Sequence, residues 1–406
     1  MINENYRFPK LSIIFLSILP FSFIISPSRY LAVLHINIVF ILAVIAFVII
    51  ELIMTKSKIS RFGISAIIAL CTITVLIGTI KSVTKEDFSE ALSLIFIMLL
   101  YFFISINKYD NQDVRFLFNF IIFFGLSLAV LLMLRAQGYT DVFGTYHADR
   151  KSFTNLTHTL FDPNFLSSSM VIPAIIAFYK IFYSDKILFK IVYAGMFAII
   201  IVGILITGSR SAFVGLAAGL FVTFTHVLIN RYNKSKTHIF IIFLLIIVVL
   251  IAAVIIFLNL PEYILKRYFT GNYLDKSNTE RIRFWIESFD IIKEKPFFGY
   301  GMQHYLNIKY EFTGLDRDVH NTYLTLLFFF GMFGIIPFAM FFIYFAFKNL
   351  KKQNIFIIGI LLSFFIMSFI ISSHRSLYFV STFSFLIILL NYQEQNKNIN
   401  LDEILN

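Results

Sequence analysis

Arg210 lies in Thr207-Gly208-Ser209-Arg210-Ser211, a tight turn between two apolar runs. A guanidinium is costly at a membrane, so its presence there needs a reason. Gly208 permits the bend, and Ser211 is expected to cap the helix that follows. That helix turns its N–H groups and dipole to the same spot, so Arg210 beside it makes an anion site suited to phosphate. The plainer alternative is an arginine that snorkels to lipid headgroups. His320, in Asp318-Val319-His320-Asn321-Thr322-Tyr323, opens another apolar run. Histidine is the side chain best suited to take a proton near neutral pH, and at a membrane boundary it can meet a water-borne hydroxyl. An interfacial histidine without chemistry is the competing reading.

Thr279-Glu280-Arg281-Ile282-Arg283-Phe284-Trp285 and Pro296-Phe297-Phe298-Gly299-Tyr300-Gly301 lie between these two sites. Ile282, Trp285, Ile286, Phe289 and Ile292 recur at helical spacing, with Glu287, Asp290, Lys293 and Glu294 opposite. This predicts an amphipathic helix in the interface, anchored by the single Trp of the chain. Gly299 and Gly301 predict a turn where backbone comes close to something, a ligand being one candidate. Arg150 and Arg375 are added as substrate contacts on charge and sidedness alone. Asp162-Pro163-Asn164 suits the start of a helix, with Asp162 as a cap or as an active group. His35 and His226 sit inside apolar runs and are expected to be buried and hydrogen-bonded. No His-Glu-x-x-His motif is present, and neither a metal nor a cofactor is expected.

The elements that must position these residues follow from composition. Of 406 residues 59% are hydrophobic and 14% charged, 52 are Phe, and the mean hydropathy is +0.83. A soluble domain has about 25% charged residues. Apolar stretches run approximately over 11–26, 30–50, 62–80, 90–107, 116–134, 165–183, 188–207, 211–229, 239–259, 321–347, 355–372 and 376–392. Each is near the ~20 residues that cross a bilayer. The expected fold is therefore an all-α integral membrane protein of about 12 transmembrane helices. The first run contains Pro20 and no small-residue cleavage site follows it, so it reads as a retained span.

With the amino terminus inside, seventeen Lys and Arg fall in segments facing the cytoplasm, against five (Arg29, Lys81, Lys85, Arg210 and Arg375) in the short outer ones. The net charge of +11 thus reflects orientation rather than nucleic acid. Both termini are expected in the cytoplasm. The expected organisation is helices 1–5 over 1–134, an outer loop over 135–164, helices 6–9 over 165–259, a large extracytoplasmic loop over 260–320, helices 10–12 over 321–392, and a cytoplasmic tail over 393–406. One cysteine, Cys71, permits no intrachain disulfide.

Taken in order, these motifs resemble the superfamily of O-antigen ligases and Wzy-type polysaccharide polymerases of bacterial envelopes. Its Ser-Arg-Ser-type turn is similar to Ser209-Arg210-Ser211. Its Arg-x-x-x-Trp helix and Pro-x-x-Gly-x-Gly turn are similar to Arg281–Trp285 and Pro296–Gly301. Its His-Asn-x-Tyr-Leu motif with a downstream Gly-x-x-Gly is similar to His320–Leu324 with Gly331 and Gly334. The resemblance covers about 200–340.

The resemblance implies a glycosyltransferase of the C class in the bacterial cytoplasmic membrane, acting on its outer face. The donor it implies is an undecaprenyl-pyrophosphate-linked glycan, and the chemistry metal-independent inversion. Arg210 and Arg281 would hold the donor pyrophosphate and His320 would orient or deprotonate the acceptor. Arg283, Asn321, Tyr323, Gly299 and Gly301 are taken as substrate-binding positions, and Arg150 and Arg375 join them on charge and sidedness alone. A polymerase, joining O-antigen, capsule or exopolysaccharide repeat units, is favoured by Asp162-Pro163-Asn164. The alternative is a ligase acting on lipid A-core or protein. A chain-length regulator and a flippase are implied as possible partners. From another class, a flippase or transporter suits twelve spans, but ionisable residues here gather at the outer boundary and no repeat symmetry is seen.

Overall fold

Charge-free runs of Ile, Leu, Val and Phe can satisfy their backbone polar groups in lipid only by coiling into helices, whose hydrogen bonds stay within the segment. The structure is a computed structural model that describes residues 9–24, 36–55, 64–80, 88–136, 145–147, 150–151, 163–232, 272–301, 320–351, 354–370 and 377–396. These residues are almost wholly helical. In chain order they form α1 (Leu11–Ile18, continued by a 3-10 turn Leu19–Ile24), α2 (Ile36–Thr55), α3 (Ile64–Ile80), α4 (Phe88–Ile106) and α5 (Asn111–Ala136). Next come α6 (Pro163–Tyr183), α7 (Ile187–Ile206), α8 (Arg210–Tyr232), α9 (Asn272–Glu294), α10 (Thr322–Lys351), α11 (Ile355–Ile370) and α12 (Leu377–Gln395). A small antiparallel pair, β1 (Thr145–His147) and β2 (Arg150–Lys151), departs from the all-α expectation.

Twelve α-helices among the described residues are not the twelve expected spans. The run 239–259 lies outside the described residues, and α9 is the helix expected in the interface. The other eleven runs coincide in position with helices. Those over Asn111–Leu134, Pro163–Tyr183, Ile187–Ile206, Arg210–Ile229 and Thr322–Lys351 are long and apolar enough to cross a membrane. The first run is not one straight helix. Proline has no N–H to give, and α1 ends just before Pro20.

The chain divides into two compact units. One comprises 118–274, 346–367 and 400–406. Its centre is α6, where Val171, Ile172, Ala174, Ile175, Ile176 and Ala177 are all buried, so that no face is left for solvent or lipid. Around it, small residues allow close approach. A Cβ on Gly125 of α5 would meet the Pro173 ring of α6 at 2.3 Å, and one on Gly203 of α7 would meet Ala129 of α5 at 2.6 Å. On α8, Gly215 and Gly219 admit α11, whose Ser363 hydroxyl donates to the Gly215 carbonyl at 2.5 Å. By contrast, α7 leaves Ile187, Leu188, Phe189 and Ile191 exposed, the pattern of a lipid-facing surface.

The second unit comprises 1–117, 275–345 and 368–399. The start of α1 and the ends of α2, α4 and α12 meet at one end of it. The Glu51 carboxylate accepts from the Ser12 N–H at 3.0 Å, the Ser12 hydroxyl at 2.7 Å and Asn107 Nδ2 at 2.8 Å. Asn391 and Gln395 of α12 donate to the Asn107 carbonyl at 2.5 and 2.9 Å. A carboxylate set among apolar helices is tolerated when its lone pairs are used in this way. Tyr109 lies in the same knot, its hydroxyl donating to the Ile104 carbonyl at 2.9 Å. Burial, and then the Glu51 and Asp113 charges, push its phenol well above the ordinary value, so it stays a donor.

Candidate functional site

The turn around Arg210 is closed by its own neighbours. Gly208 adopts φ 64, a left-handed conformation that ends α7, and its N–H donates to the Leu205 carbonyl at 3.0 Å. The Thr207 hydroxyl donates to the Ile204 carbonyl at 2.6 Å and accepts the Ser209 N–H at 3.3 Å. α8 begins at Arg210 itself, so Ser209 stands in the cap position and Ser211 lies inside the first turn, contrary to expectation. The two serine oxygens are 3.1 Å apart, and the Ser209 hydroxyl donates to Asn164 Oδ1 at 3.0 Å. Arg210 is partly exposed, yet its Nη1 is buried and meets no hydrogen-bond partner among the described residues. A buried guanidinium N–H left unmade costs free energy, and at the positive end of α8 the acceptor that suits it is an anion.

Arg281 lies on α9 one turn before Trp285 and is half-buried. The inward face of that helix is Phe284, Ser288, Ile291 and Ile292. Ile282, Ile286 and Phe289, expected on the same face as Trp285, are exposed. Trp285 instead packs edge-on against Phe369 of α11, with ring centroids 5.1 Å apart. α9 thus has two apolar faces, one against protein and one open, and Trp285 is a packing residue before it is an interfacial anchor. Arg283 points outward and its Nε meets Glu287 Oε1 at 2.6 Å, an exposed pair of the (i, i+4) kind that contributes little.

The glycine turn answers another glycine. α10 is broken at Gly331 (φ 61, ψ −161), and the segment Pro296–Gly301 lies along the break. Tyr300 and Gly301 N–H groups donate to the Phe328 and Phe329 carbonyls at 2.8 and 3.0 Å, while Met332 and Phe333 N–H groups donate to the Pro296 and Phe297 carbonyls at 2.8 and 3.1 Å. Gly299 (φ 63) and Gly331 stand so close that a Cβ on either would fall within 2.7 Å of the other's nitrogen. The close approach expected of Gly299 and Gly301 is therefore made to the α10 backbone. Tyr300 stacks on Phe328 with centroids 5.0 Å apart, and its hydroxyl donates to Glu294 Oε2 at 2.7 Å. Burial and that bond push its phenol up to about 12.

His320 immediately precedes the cap residue of α10, exposed and with φ 52, the one described non-glycine residue in the left-handed region. Asn321 is buried and its Oδ1 accepts the Tyr323 and Leu324 N–H groups at 3.0 and 3.1 Å. It is thus the cap of α10. Tyr323 is half-buried, its ring 6.4 Å from Phe369. Phe369 consequently joins the Arg281–Trp285 helix to the His320–Tyr323 cap, and nothing in the sequence marks it for that. Arg281 and His320 belong to one unit and Arg210 to the other. Of Arg150 only the strand backbone is described. Arg375 and Asp162 lie outside the described residues. His226 is buried and stacked near Tyr179 and Tyr183, as a core histidine would be.

No curated protein matches the chain. A solved chain described as "Structural coordination of polymerization and crosslinking by a peptidoglycan synthase complex" overlays 84% of this chain and 99% of its own length, at 10% identity and a TM-score of 0.44. That likeness is too distant to speak to fold or function. Residues 194–339 match the family model Wzy_C, described as O-antigen ligase. This stretch, about a third of the chain, holds Arg210, Arg281, the Gly299–Gly331 contact and His320, and the match is consistent with the O-antigen ligase and Wzy-type superfamily.

Proposed function

We propose that the protein is a membrane glycosyltransferase that joins undecaprenyl-pyrophosphate-linked repeat units into polysaccharide on the outer face of the cytoplasmic membrane. The observation that carries this reading is the buried Nη1 of Arg210 at the start of α8, which meets no partner among the described residues and lies within the matched stretch. In the reaction the acceptor hydroxyl oxygen attacks the anomeric carbon, and the bond from that carbon to the pyrophosphate oxygen breaks. The leaving group takes the electron pair, and His320 takes the hydroxyl proton. Negative charge grows on the pyrophosphate, so guanidinium forks from Arg210 and Arg281 stabilise the transition state more than the ground state. Arg150, Arg283 and Arg375 are assigned to substrate binding on charge alone.

A second reading, ligation of the finished glycan to lipid A-core or protein, is favoured by the description of the matched family. The polymerase reading is favoured by Asp162-Pro163-Asn164. Both are tested on a gel that resolves single repeats, with a deletion strain carrying wild type, Arg210→Ala or His320→Ala. A polymerase leaves only single repeat units in the deletion, and each variant falls short of wild-type elongation by about a hundredfold. Long polymer retained on the lipid carrier identifies a ligase. An unchanged ladder with active variants overturns glycosyl transfer.

A further inference from the structure

We propose that Asn164 is a positioning residue for Arg210, acting through Ser209. Asn164 lies in the first turn of α6, next to the helix-opening Pro163, and its Oδ1 accepts the Ser209 hydroxyl at 3.0 Å. Ser209 Oγ in turn stands 3.1 Å from Ser211 Oγ. Both serines are enclosed, at 1% and 7% exposure, where a hydrogen bond left unmade costs more than it does on a surface.

These bonds are not needed to close the turn. Gly208 and Thr207 already satisfy the end of α7 through Leu205 and Ile204. What the Asn164 bond adds is a tie from α6 to the residue before Arg210, with Ser211 joined on the other side. The backbone that carries the guanidinium is thus tied to α6 through Ser209, and the serines on either side of Arg210 are bonded to each other. An arginine fixed before its ligand arrives loses less freedom on binding than one that must be ordered by it. The residue suited to the tie is a neutral amide: it accepts the serine proton without setting a negative charge beside an anion site.

This proposal rests on the phosphate-holding role of Arg210 and adds that donor affinity depends on a residue of α6. The test measures the Kd for undecaprenyl pyrophosphate with the full-length protein in lipid nanodiscs. Asn164→Ala and Ser209→Ala are each expected to weaken binding by about fivefold, the size of one hydrogen bond's net contribution. Arg210→Ala is expected to weaken it further. In the Arg210→Ala background, Asn164→Ala is expected to change the Kd by less than about twofold, because its effect passes through Arg210. The proposal is overturned if Asn164→Ala binds as wild type, or weakens binding by the same factor in both backgrounds. If Arg210→Ala binds as wild type, the anion role of Arg210 fails first. Should Asn164→Ala not fold, Ser209→Ala breaks the same bond from the other helix and is judged by the same rule.

Discussion

At His320 the backbone itself carries information. A φ of 52 costs an L side chain about 1–2 kcal/mol, which glycine avoids. Such a conformation persists where the surroundings demand it, and here Asn321 caps α10 immediately after. His320→Gly is therefore expected to leave thermal stability in detergent unchanged or raise it by about 1 kcal/mol, while glycan elongation is lost. A glycine variant that still elongates would remove His320 from the chemistry. His320→Asn, which also tolerates the left-handed region, is expected to fold as wild type and to be equally inactive. Arg210→Lys keeps the cation and loses the planar fork, so it is expected to lower elongation by about tenfold or more without changing the amount of protein in the membrane. Wild-type elongation in that variant would show that charge alone suffices.

The packing of the Pro296–Gly301 segment on α10 is decided by two glycines. A Cβ on Gly331 would meet the Phe297 carbonyl at 2.4 Å, and one on Gly299 would meet that of Phe328 at 2.5 Å. Neither backbone can yield without breaking the four hydrogen bonds between the segments. Gly331→Ala and Gly299→Ala are each expected to cost more than about 2 kcal/mol, read as lower melting temperature and less folded protein. A melting temperature unchanged by both would contradict the close approach. On α9 the open row of Ile282, Ile286 and Phe289 is expected to contact lipid. With Cys71 replaced by serine, single cysteines at 282 and 286 should be quenched by lipid-phase reagents, and one at 284 should be protected. The reverse pattern would place the Trp285 side of α9 in the membrane interface instead.

For the whole molecule, the start of α1 and the ends of α2, α4 and α12 share the Glu51–Asn107–Asn391 knot. The charge distribution predicts that this end faces the cytoplasm. A fluorescent reporter fused after Gln395 is thus expected to fold and fluoresce, and alkaline phosphatase inserted within 302–319 to be active. Inactive phosphatase there, with activity at the carboxyl end, would invert the topology and move His320 to the inner face.

Composition and charge-free runs were enough to determine that the described residues are almost wholly helical, and nearly where most of those helices lie, because lipid leaves such segments no other way to satisfy their backbones. The motifs likewise single out Arg210, Arg281 and His320 as candidates. Only the tertiary structure decided which face of α9 turns inward, that Gly299 answers Gly331, that Phe369 links two motifs, and that Asn164 reaches Ser209 across 45 residues. The physical reason is the solvent. In water an apolar face identifies the inside, but in a bilayer lipid and protein interior are equally apolar, so periodicity marks both and distinguishes neither. Close backbone approach and single polar ties between distant helices have no period at all, and they exist only once the helices are packed.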